Sequence, residues 1–115
     1  MGEKQGVYNL NEQYYEAIIQ LRPPTREIMN YIENQVQKRD DVFITKIVDL
    51  KTGIDIYLTS QRFARNLGQK LKKVFGGELK ITRKIHTRDR LRSRNLYRAT
   101  ILFRPKLKDG IDKDE

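Results

Sequence analysis

The sequence predicts an α+β fold: a two-layer sandwich in which an antiparallel sheet of about five strands carries two helices on one face. Three observations predict it. Two segments, 25–38 and 61–75, repeat their apolar residues at helical spacing. Five others are rich in β-branched and aromatic residues, mostly in alternation. The connections between successive strands include tight, Gly- or Asp-containing turns, and short turns demand antiparallel neighbours.

Residues 1–13 are polar, with two glycines and two asparagines, and read as a flexible lead-in. Tyr14 to Arg22 reads as the first strand, with Tyr15, Ala17, Ile19 and Leu21 on one side and Glu16, Ile18, Gln20 and Arg22 on the other. Pro23 and Pro24 end it, since neither can donate to a ladder. Thr25 is a suitable N-cap, and Ile28, Met29, Ile32 and Val36 form the stripe of a helix running to about Lys38. Asp40 and Asp41 make a turn. VFITKIVDL and IDIYLTS then form a hairpin across Lys51-Thr52-Gly53, where Gly53 is expected to supply a positive φ. Ser60 caps the second helix, which the Gly76-Gly77 pair stops. Leu79 to about Thr87 and Leu96 to Arg104 are the last two strands, joined by the arginine-rich RDRLRSRN. The order β-α-β-β-α-β-β is that of a ferredoxin-like variant with an extra hairpin strand. The domain spans 14–104, and 105–115 is a charged tail or linker.

The chain has 115 residues, the size of one domain, with a modest 37% hydrophobic share and 34% charged. Lys plus Arg number 24 against 15 Asp plus Glu, for a net charge of +9. That balance favours polyanionic partners. Cysteine is absent, which excludes disulfides, thiolate zinc sites and a cysteine nucleophile. One histidine, His86, makes a histidine metal site implausible, and no cofactor is implied. No apolar run reaches the roughly 20 residues of a membrane span, and the N-terminus lacks the apolar core of a signal peptide. The expectation is a soluble, cytoplasmic protein with no membrane partner, monomeric as an isolated domain.

The richest chemical signal lies between positions 83 and 98. Arg83, Lys84, Arg88, Arg90, Arg92, Arg94 and Arg98 are opposed there by Asp89 alone. Guanidinium forks bind phosphate bidentately and stack on bases, which a merely solubilising surface does not require. A second signal is the outward face of the 61–75 helix, where Arg62, Arg65, Lys72 and Lys73 have no acidic neighbour at i,i+4. A third is the outer sheet face, expected to carry Tyr57, Lys80, Thr82, Lys84, Arg98, Thr100 and Arg104, an arrangement able to stack bases. No acid–base constellation points to catalysis. Asp55 is either a lone polar group on that outer face or the partner of a nearby Arg.

The stretches QLR at 20–22, GIDIY at 53–57, FAR at 63–65, FGGELK at 75–80 and YRATILFR at 97–104, in this order, resemble the nonsense-mediated decay protein three family. In eukaryotes this family is the nuclear export adaptor of the large ribosomal subunit, and it has shorter archaeal relatives. The resemblance covers about Tyr14 to Arg104. It implies the central α/β domain of a longer protein that binds the large subunit. The paired CxxC zinc motifs with which full members begin are not found in this sequence. The expected function is therefore non-catalytic, archaeal-like docking on the large ribosomal subunit through ribosomal RNA, with ribosomal proteins as further partners. The alternative is a protein-interaction module packing through the open sheet face.

Overall fold

A computed structural model of the chain describes residues 6–11, 13–89 and 94–106; over 86–89 and 94–96 the description is of the backbone alone. The elements follow the expected order. They are β1 (Ala17–Leu21), α1 (Arg26–Gln37), β2 (Ile44–Leu50), β3 (Gly53–Leu58), α2 (Gln61–Phe75), β4 (Gly77–Asp89) and β5 (Arg94–Pro105). Both helix starts are capped as their residues dictate. Thr25 Oγ1 accepts from the Ile28 amide at 3.1 Å, and Ser60 Oγ from Phe63 at 3.1 Å. Gly76, at φ 75°, ends α2.

The sheet has five strands in the order β2-β3-β1-β5-β4, and it is mixed rather than antiparallel. The hairpins β2/β3 and β4/β5 are antiparallel, as their short connections require. The pairing of β1 with β3 is also antiparallel, but β1 runs parallel to β5. The physical reason is insertion. In the simple ferredoxin-like arrangement the strand after the second helix returns beside β1. Here that strand, β4, occupies the edge, and its hairpin partner β5 fills the gap, so β5 must point along β1.

One layer of side chains fills the space between sheet and helices. Ala17, Ile19 and Leu21 of β1, Ile56 and Leu58 of β3, and Ala99, Ile101 and Phe103 of β5 are buried there. They join Ile28, Ile32 and Val36 of α1 and Phe63, Ala64, Leu67 and Leu71 of α2 in one core. Helix α2 lies close to the sheet because of Gly68. A Cβ at that position would sit 2.8 Å from Ile101 Cγ2 and 3.1 Å from Leu79 Cδ1.

Three local expectations are corrected. Strict alternation fails at the start of β1. The backbone bends at Glu16, and its carboxylate turns to the helical layer, where Oε1 accepts from the Gln61 amide at 2.9 Å. An anion there meets the positive end of α2, whose first turn has no acid of its own. Tyr15 is thereby sent to the outer face. Gly53 has no positive φ; it is needed because a Cβ would lie 2.0 Å from the Leu21 carbonyl oxygen and 2.8 Å from two Arg22 side-chain atoms. The last hairpin is longer than expected, with Arg88 opposite Asn95 and Asp89 opposite Arg94 still in register.

That extra length protrudes. The pairing of β1 with β5 covers Ala99 to Phe103, so the part of the hairpin before Ala99 continues as a two-stranded ribbon. A register shift between Ile85 and Thr87 puts a bulge in it at His86. No helix among the described residues is long and apolar enough to cross a membrane.

Candidate nucleic-acid interface

The basic residues anticipated from the sequence fall on three surfaces. The first is the solvent side of α2, where Arg62, Lys72 and Lys73 are exposed. Lys72 and Lys73 occupy the last turn, where cations also favour the helix dipole. Arg65 departs from this group. It is half-buried on the flank of the helix, and its Nε is enclosed without a hydrogen-bond partner.

Lys70 extends this surface towards α1, its Nζ 3.4 Å from Gln35 Oε1. Between the helices lies a groove of about 430 Å³ lined by Gln35, Lys38, Arg39, Phe63, Asn66, Leu67 and Lys70. The Arg39 guanidinium lies 5.6 Å from the Phe63 ring centre. Lys38, Arg39 and Lys70 did not stand out in the sequence, because only the packing of α1 against α2 brings them to one groove.

The second surface is the ribbon, and register divides its cations between the two sides. Arg83 is opposite buried Ala99 and so lies on the helical side, its guanidinium 4.8 Å from the Tyr97 ring centre. Lys84 is opposite Arg98, on the other side. Arg88 and Arg94 belong to the ribbon backbone, while Arg90 and Arg92 lie outside the described residues.

The third surface is the sheet face away from the helices. Register places Lys80, Thr82, Lys84, Arg98, Thr100, Arg104 and Tyr57 on it together, as anticipated. The bend at Glu16 adds Tyr15. Its ring meets Tyr57 edge-on, with centres 4.7 Å apart at 78°. The Lys46 ammonium lies 5.3 Å from the Tyr57 ring centre, and the Arg98 guanidinium 3.8 Å from that of Tyr15. Arg98 Nε also donates to the Tyr15 carbonyl at 3.0 Å, so this arginine holds Tyr15 in place. The result is a row across the sheet: Lys46, Tyr57, Tyr15, Arg98. Burial, followed by the charges of Tyr15 and Asp55, raises the pKa of the Tyr57 phenol.

Asp55 is the partner of an arginine. Arg22 Nη2 is 2.7 Å from its Oδ1, both side chains being only 14% exposed. Arg22 Nη1 also donates to the carbonyls of Leu21 and Ile54, at 3.1 and 3.2 Å. Asp55 is thus committed to structure rather than chemistry. No cluster of three or more His, Asp or Glu suited to a metal occurs among the described residues.

These contacts join the short stretches singled out in the sequence. Arg22 of QLR pairs with Asp55 of GIDIY across the space that Gly53 leaves open. Gly77 of FGGELK, at φ 135°, meets the last strand so closely that a Cβ would sit 2.1 Å from the Arg104 carbonyl oxygen of YRATILFR. Comparison with known proteins agrees with this set: residues 14–104 match the family model described as NMD3, second domain. A search of the curated proteins finds no match.

Proposed function

The chain belongs to the NMD3 family, which is linked to the large ribosomal subunit, and from that premise we propose that this domain docks on the subunit by binding ribosomal RNA. The observation that carries the reading is α2. Five cations, Arg62, Arg65, Lys70, Lys72 and Lys73, and no acid occur along its 15 residues. Its outward side can follow a phosphate backbone without bringing a carboxylate against it. The ribbon supplies a second contact, through Arg83, Lys84, Arg88, Arg90, Arg92, Arg94 and Arg98. The domain positions and does not catalyse.

The test is the salt dependence of binding to large subunits and to ribosomal RNA. Each phosphate contact removed should make the slope of log K against log salt shallower by about 0.7–0.9, the range between single strands and B-form duplex. Arg62→Glu/Lys73→Glu and, separately, Arg90→Ala/Arg92→Ala/Arg94→Ala should each weaken binding about uniformly across RNA sequences. Unchanged affinity at moderate salt in both variants refutes the proposal. A second reading, protein docking through the open sheet face, is favoured by half-buried Ile18, Val48 and Leu102 there. Capture of subunit proteins that persists after nuclease treatment would select it.

A further inference from the structure

The outer sheet face carries more than charge. Two clefts share Tyr15 as a wall. The larger, about 710 Å³, lies on the β2 side and is lined by Tyr57, Lys46, Thr45 and Tyr8 as well as Tyr15. The smaller, about 290 Å³, lies on the β4 side between Ile18, Thr82, Lys84, Arg98 and Thr100. The larger falls within the roughly 300–1,000 Å³ of small-ligand sites, and the smaller lies at the lower bound. Each has an aromatic wall and at least one cation.

We propose that this face takes unpaired nucleotides, with a base stacked on the Tyr57 ring and bordered by Tyr15, and the flanking phosphates held by Lys46 on one side and Lys84 and Arg98 on the other. The inference rests on the RNA-binding reading and names a site and a substrate class within it: single-stranded rather than duplex RNA. Charge complementarity selects this occupant. Lys46, Lys80, Lys84, Arg98 and Arg104 lie on this face against two acids, Asp55, which Arg22 occupies, and Glu78, which stands opposite Arg104 at the end away from the two clefts. The aromatic pair selects single strands, because a base inside a duplex has both faces covered. Threonines 82 and 100, opposite one another in register beside Arg98, add hydroxyls that can bond base edges or sugars without demanding a particular base.

The division of labour gives the test. The folded chain is titrated with a single-stranded RNA oligomer carrying 2-aminopurine and with a duplex of the same sequence. Tyr57→Leu keeps an apolar side chain but removes the ring, and should weaken single-strand binding about 5- to 150-fold, the range of one lost base stack. Its duplex affinity should stay within about two-fold. Tyr57→Phe keeps the ring and should bind both as the parent does, with the 2-aminopurine emission quenched. Arg62→Glu/Lys73→Glu should weaken duplex binding. If Tyr57→Leu and Tyr57→Phe bind the single strand alike, the stacking proposal is overturned while RNA binding by α2 stands. If neither RNA binds the parent even at low salt, both readings fail.

Discussion

Replacing Asp55 with alanine probes a well-shielded ion pair that ties the ends of β1 and β3 together. The carboxylate accepts from Arg22 at 2.7 Å, and each side chain retains only 14% of its exposure. Removing one partner of a buried pair costs about 3–5 kcal/mol, mostly because the other charge is left uncompensated. Arg22 would keep two carbonyl acceptors on Nη1, which places the expected loss at the lower end, at about 3 kcal/mol. With a urea slope of about 1–1.5 kcal/mol/M, the unfolding midpoint should fall by about 2 M. Replacing both residues, as Arg22→Met/Asp55→Leu, removes the orphaned charge and should recover most of the loss. Urea denaturation of the two single variants and the double variant measures the coupling directly. A loss below about 0.5 kcal/mol for Asp55→Ala, or a double variant as unstable as the sum of the singles, would refute the claim that desolvation sets the energetics here.

Two further predictions concern the lead-in to the sheet. Glu16→Ala should cost about 1 kcal/mol by stripping the Gln61 amide of its acceptor and α2 of its N-terminal anion, and Glu16→Gln should cost less; thermal unfolding reads both. Burial, with the hydrogen bond to Glu33 and its charge adding to it, pushes the Tyr8 phenol up to about 12. The folded chain therefore holds this proton where the unfolded chain, titrating near 10, has released it. The contribution is whole below pH 10 and is lost as pH rises towards 12, and Tyr8→Phe should flatten that fall in urea titrations at alkaline pH.

Local chemistry made much of the fold legible. The helix stripes, the caps at Thr25 and Ser60 and the glycine stop at 76 depend on residues within a turn of one another, and the structure follows them. The direction of β5 beside β1 was not legible, because those strands are about 80 residues apart and no turn dictates their sense. The side chains of Tyr15 and Glu16 exchanged faces because the α2 N-terminus, 45 residues away, attracts the carboxylate more strongly than strand alternation holds it. The same exchange hid the aromatic row of the candidate site, in which only Tyr57 was visible. The pairing of Asp55 with an arginine was legible as one of two options. That the arginine is Arg22, and that Gly53 exists to admit it, emerges only when β1 and β3 meet. The charge of the α2 surface was readable from composition, whereas the partial burial of Arg65 depends on what the folded chain packs around it.

The insertion of β5 between β1 and β4 has a mechanical consequence. The ribbon before Ala99 is a cantilever built from the edge strand β4 and its neighbour β5, and β5 roots it to β1 inside the sheet. A strand at an edge peels away one hydrogen bond at a time. A pull along the ribbon draws β4 and β5 together and loads the β5 ladder to β1 in shear, so that its bonds must fail together. A load applied to the described part of the ribbon would therefore be passed to the body of the domain through β1.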